Sequence, residues 1–166
     1  MPWSEPYVKL LGPEMPPYDE YAEYAVLGSC LIDPTAISKV LFLKPADFFR
    51  EKNRWCFTAM LAVHSRQEPT TQILVMHEMA NHKYEMKNGQ IYSWLDAAGG
   101  ASYISFCVSQ CDSTVFVKYY ADIVKDMAER RDKLQQANKL TQEAYAPRPT
   151  RGRGVDVGVR TIKKGG

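Results

Sequence analysis

The longest predicted helix limits what this chain can fold into more than any other feature. It begins at Ser113 or Thr114 and reaches Tyr145 without a glycine or a proline. Its first half carries a broad apolar stripe, and after Arg131 the stripe thins to Leu134, Ala137, Leu140 and Ala144. A stripe that narrows in this way is typical of a helix that leaves its own core to meet a partner helix.

Apolar residues at helical spacing recur along the preceding chain, and proline and glycine punctuate them. Lys44-Pro45, Glu68-Pro69 and Asn88-Gly89 each predict a break. No segment shows the alternation of a strand, so we predict an all-α fold. The predicted helices cover about 18–32, 34–42, 52–65, 71–82, 91–97 and 101–110.

This pattern divides the chain into four predicted parts. Residues 1–15 form a flexible N-terminal arm, 16–112 a compact helical head, 113–146 a helical arm, and 147–166 a disordered basic tail. In the first helix Asp19 is the predicted N-cap. Gly28 lies inside that helix at a cost of about 1 kcal/mol relative to alanine, and this predicts that a neighbouring backbone approaches it closely.

Charge is unevenly distributed along a chain whose net charge is +2. The tail concentrates basic residues, which makes it a candidate nucleic-acid contact, although a flexible linker has much the same composition. No apolar run is long enough to span a membrane, and no signal peptide is visible, so a cytoplasmic location is expected. The basic tail candidates are Arg148, Arg151, Arg153, Arg160, Lys163 and Lys164.

Catalytic and metal-binding motifs are missing from the sequence. There is no G-x-x-x-x-G-K-[ST] phosphate loop and no H-E-x-x-H zinc motif. Cys107 and Cys111 share a helix face, but two thiols supply only half of a tetrahedral zinc site. The four cysteines are interpreted as core residues, and no catalytic residue, metal or cofactor is predicted.

Three segments, in order, resemble one family. They are "PPYDEYAEYAVLGSCLIDP", "FLKPADFFREKNRWCFTAM" and "GGASYISFCVSQCDSTVFVKYYADIVKD". They are similar to the opening, middle and closing motifs of the N-terminal domain of DnaB-type replicative DNA helicases. The resemblance covers about 16–145. At Asn53 the family usually has histidine, and at Tyr21 it usually has glutamate.

The resemblance implies a non-catalytic module: a helical head and a helical hairpin arm that self-associates into a dimer or a hexameric collar. Its partners would be the C-terminal domain of primase or a helicase loader, whereas the ATPase motor belongs to the second half of such proteins. By motif position, Tyr21, Tyr103, Leu134 and Leu140 are the candidate partner-binding residues. The candidate self-association residues are Val117, Tyr120, Val124 and Met127.

A different class of function stays open at this point. The chain could be a stand-alone helical adaptor that binds nucleic acid through its Arg/Gly tail, while the helical body only dimerises. Phosphate contacts would make such binding strongly salt-dependent, whereas contacts between a collar and primase would depend on salt much less.

Overall fold

The computed structural model describes residues 15–149. The predicted N-terminal arm, apart from Met15, and the tail from residue 150 onward lie outside this range. Within it there are six α-helices, three 3₁₀ turns and one two-stranded sheet, so the all-α prediction is confirmed. The helices are α1 Glu20–Ile32, α2 Glu51–Ser65, α3 Gln72–Asn81, α4 Trp94–Ala98, α5 Ala101–Ser109 and α6 Val117–Tyr145. The 3₁₀ turns are Ala36–Lys39, Pro45–Asp47 and Thr114–Phe116, and the strands are β1 Lys83–Glu85 and β2 Ile91–Ser93.

Side-chain caps explain where several helices begin. The Asp19 carboxylate accepts a hydrogen bond from the Ala22 N–H at 2.9 Å, which confirms the predicted N-cap of α1. Thr71 and Ser93 cap α3 and α4 in the same way. Such caps satisfy N–H groups that have no partner inside the helix.

Two segments differ from the predicted helices. The segment 34–42 forms only the 3₁₀ turn Ala36–Lys39. Residues Ile91–Ser93, predicted to be helical, instead pair with Lys83–Glu85 in an antiparallel hairpin. Gly89, at φ 83°, makes the turn between these strands. Each strand is only three residues long.

Helix α1 lies at the centre of the head. Every residue from Ala22 to Leu31 is buried, as expected of a helix that is covered on all sides. Helices α5 and α6 provide most of that cover, and α2 adds to it.

The predicted close approach at Gly28 is confirmed. A Cβ at Gly28 would overlap the backbone carbonyl oxygen of Cys107 and come within 3.0 Å of the Cys111 Cβ. Helix α5 therefore lies directly against the α1 backbone.

Candidate interaction surfaces

Tyr21 and Leu140 lie where a partner could reach them. The Tyr21 side chain on α1 is 76% exposed, and Leu140 on α6 is 66% exposed. Leu134 is half-buried. Six residues separate the two leucines, so they point about 120° apart around the helix. They do not form one continuous contact stripe.

Tyr103 is not a surface residue, which corrects the prediction that it binds a partner. It is 4% exposed, and its hydroxyl donates a hydrogen bond to Asn53 Oδ1 at 2.7 Å. The Asn53 amide nitrogen donates in turn to Glu23 Oε2, also at 2.7 Å. Tyr103 therefore belongs to a buried polar chain that joins α5, α2 and α1.

The Glu23 carboxylate ends this polar chain in the core. It also accepts hydrogen bonds from the backbone N–H groups of Phe49 and Arg50. Burial raises the pKa of Glu23 above its usual value, while these hydrogen bonds and the nearby Arg131 act in the opposite direction. The group has a structural role, since only 1% of it is exposed.

Val117 and Val124 were predicted to mediate self-association, and the structure contradicts this for both. They are buried, together with Ala121 and Ala128, on the face of α6 that packs against the head. A residue buried within its own chain is not available to a second copy. The apolar stripe was recognised correctly, but its partner is α1 of the same chain.

Tyr120 and Met127, the other two predicted self-association residues, are half-buried. The Tyr120 hydroxyl donates to the Asp112 carboxylate at 3.3 Å. Both residues therefore sit at the edge of the packed face of α6, and their assigned role remains a prediction.

Two exposed apolar segments that were not among the predicted site residues meet beside the start of α6. We call Leu41, Phe42, Val115, Phe116 and Tyr119 the head patch; all five are exposed, Val115 at 76%. The two segments are joined where Lys118 Nζ lies 5.3 Å from the centre of the Phe42 ring. The apolar residues Val115, Phe116 and Tyr119, beside the predicted start of the longest helix, were the available signal for this patch in the sequence. Exposed apolar clusters of this kind mark interaction sites.

The described residues contain no candidate metal site. Between residues 15 and 149, no three His, Cys, Asp or Glu side chains converge as metal ligands would. Burial raises the pKa of the Cys30 thiol to about 12 and that of Cys107 to about 11, so these thiols are inert at neutral pH. In the same part of the chain, no helix combines the length and apolarity needed to cross a membrane. Arg148 is exposed, and the other basic tail candidates lie outside the described residues.

Comparison with known proteins decides the family. The protein-family model of the DnaB-like helicase N terminal domain matches residues 15–126, which is more than half of the chain. The chain belongs to this family. The predicted resemblance is thereby confirmed.

Curated relatives give the wider context. The chain is 31% identical over 139 residues to the replicative DNA helicase DnaC of Bacillus subtilis, and 32% identical over 140 residues to DnaB of Geobacillus stearothermophilus. Each match covers 82% of this chain but only 28% of the relative. The chain thus spans little more than a quarter of the length of these relatives, and its 166 residues contain no P-loop motif.

Solved structures agree with the fold. The N-terminal domain of DnaB helicase from Mycobacterium tuberculosis superposes with a TM-score of 0.70 and 31% identity, covering 80% of this chain and 90% of that one. A DnaB-like replicative helicase described with its primase interactions gives a TM-score of 0.63 at 21% identity, covering 76% of this chain and 28% of that one. At that identity the second likeness supports the fold alone.

Proposed function

We propose that this chain is a non-catalytic collar module of a replicative helicase, which self-associates through α6 and docks primase or a helicase loader. The observation that carries the proposal is the outer half of α6, Glu129–Tyr145. Every residue of this stretch lies within the part of the chain that the structure describes, and none of them is buried. Because α6 extends so far beyond the core of its own chain, its outer apolar residues need a partner helix to cover them.

The proposed self-association surface is the stripe formed by Ala137, Leu140 and Ala144. These residues fall within an arc of about 60° on one side of α6. Small alanines on both sides of an exposed leucine allow a second helix to approach closely. The ion pair between Lys139 and Glu143, at 3.9 Å, lies on the same outer half of α6, as charged residues commonly do beside helix–helix contacts.

The proposed docking surface for primase or a loader is the head patch, and Tyr21 near the start of α1 is a separate partner-binding candidate. Structures similar in fold are described as DnaB helicases interacting with primase. Aromatic side chains are enriched where proteins recognise one another, and the patch exposes Phe42, Phe116 and Tyr119. Leu134 keeps its predicted place as a partner-binding candidate, whereas Tyr103 is excluded by its burial.

Sedimentation velocity on charge variants tests the self-association. Leu140→Glu places a carboxylate in the stripe and should shift the protein toward monomer. Gln142→Glu adds the same charge about 160° away around the helix and should sediment as wild type does. Equal behaviour of the two variants would show that the stripe is not the interface.

Isothermal titration against the isolated C-terminal domain of primase tests the docking surface. Phe116→Ser removes a large apolar side chain that is 54% exposed and should weaken binding by about tenfold or more, as interface hot spots do. Ile73→Ser removes a comparably exposed apolar residue on α3 and is the matched control. Wild-type affinity in Phe116→Ser would exclude the head patch.

A further inference from the structure

The face of α6 that packs against the head changes from apolar to charged at Arg131. Val117, Ala121, Val124 and Ala128 follow the spacing i, i+4, i+7 and i+11, and all are buried. The next position in this spacing is Arg131. The buried residues of α6 therefore end at Ala128, and the next position on the same face carries a guanidinium group.

Arg131 connects two separate segments of the head. Its Nη1 donates to the Pro17 carbonyl oxygen at 2.8 Å, just before α1, and its Nη2 donates to the Asp47 carbonyl oxygen. The guanidinium carbon lies 5.7 Å from the centre of the Phe49 ring. A planar guanidinium can serve two acceptors and an aromatic face at once, which a lysine ammonium on its flexible stem does not reproduce.

The 3₁₀ turn Pro45–Asp47, to which Arg131 donates a hydrogen bond, is itself fixed by other contacts. The Asp47 carboxylate accepts from the Lys44 N–H at 2.8 Å, which closes the 3₁₀ turn Pro45–Asp47. The same carboxylate pairs with Lys125 of α6 at 3.1 Å. Glu23, buried beneath, attracts the Arg131 charge. Arg131 thus anchors to a fixed site, and among the described residues it is the last one of α6 to hydrogen-bond the head.

Arg130 provides an internal contrast. It neighbours Arg131, is exposed, and pairs only with Asp126 one turn earlier on the same helix, at 2.8 Å. Such a local pair cannot influence how α6 sits on the head.

We propose that Arg131 is a positioning residue that fastens α6 to the head where the buried residues of α6 end, and so fixes the direction in which the outer half of α6 projects. The inference deepens the proposed function, because that half carries the proposed self-association stripe. Without the guanidinium, the helix beyond Ala128 would bend or fray relative to the head.

Electron–electron double resonance on the full chain measures this direction. Spin labels are attached at Lys39→Cys on the head and Gln142→Cys near the end of α6, in a Cys111→Ser background. Labelled protein is diluted with unlabelled protein, so that only distances within one chain are observed. The distance distribution should broaden at least twofold in Arg131→Gln and keep its wild-type width in Arg130→Gln.

Arg131→Lys is a second variant that keeps the positive charge and is therefore less prone to misfold. Thermal melting checks that each variant is folded. Broadening in Arg131→Lys supports the requirement for a guanidinium fork. Wild-type width in the folded Arg131 variants, or equal broadening in Arg130→Gln, overturns the inference. Sedimentation velocity on the same variants distinguishes failure of this inference from failure of the proposed function. A monomeric wild type would refute self-association, while the distance measurement within one chain would still test the role of Arg131.

Discussion

Replacing Gly28 with alanine tests the packing at the centre of the head. The added methyl group would overlap the Cys107 carbonyl oxygen and press on the Cys111 Cβ at 3.0 Å. The obstructing atom is backbone, so it can move only if α5 moves away from α1. We therefore expect the substitution to destabilise the fold, although alanine is the better helix former.

The magnitude follows from two opposing effects. Overpacking costs about 1–3 kcal/mol, and a rigid backbone neighbour favours the upper part of that range. Alanine gains about 1 kcal/mol of helix propensity over glycine. The net loss is then about 1–2 kcal/mol, which lowers the melting temperature by about 2–8 °C for a chain of this length.

Thermal and urea unfolding, followed by circular dichroism, measure the effect. His77→Ala is the control: His77 is an exposed residue of α3, so the change to alanine improves helix propensity without a clash. It should leave the free energy of unfolding within about 0.5 kcal/mol of wild type. If Gly28→Ala were as stable as wild type, α5 could not lie against α1 as described, and the reasoning would fail.

Three further predictions concern the buried core. Tyr103→Phe should lower the free energy of unfolding by about 1–3 kcal/mol, measured by urea titration, because Asn53 Oδ1 loses its buried donor; an unchanged midpoint would contradict this. Because burial raises the folded-state pKa of Glu23, there is a pH range above about 4.5 in which the native state still holds the carboxyl proton and the unfolded chain has released it, so wild type should lose stability relative to Glu23→Gln as pH rises through that range. Melting curves from pH 4 to 7 check this sign, and a constant difference would oppose it. Ellman's reagent at pH 8 should modify Cys111 alone among the four cysteines until denaturant is added, since the other three are buried.

Local signals in the sequence predicted two features of α1. Asp19 marked the start of α1 because a carboxylate that precedes an apolar stripe caps a helix. Gly28 indicated a close backbone contact because glycine is otherwise unfavourable within a helix. Both inferences needed only neighbouring residues, and both are confirmed by the structure.

Partner assignment needed information that helical periodicity does not contain. An apolar stripe with Val117 and Val124 looks the same whether it packs on its own chain or on a second copy. The clue lay elsewhere: residues 24–32 of α1 contain no charged side chain, and such a stretch requires a cover. Tyr103 was equally ambiguous, because its hydroxyl finds its acceptor on Asn53, a residue far away in the sequence.

The hairpin was missed for a different reason. Its strands contain three residues each and include Lys83 and Glu85, so neither length nor composition is typical of a strand. Asn88-Gly89 predicts the turn, and the alternation of Tyr84 and Met86 with charged residues before it was the available signal that the flanking segments form a hairpin.

Sedimentation equilibrium of the full chain, at several protein concentrations and at low and high salt, tests the central claim most directly. We expect dimers or larger assemblies whose association constant changes little with salt, because the stripe of Ala137, Leu140 and Ala144 is apolar. A protein that stays monomeric at every concentration and in both salts would contradict it.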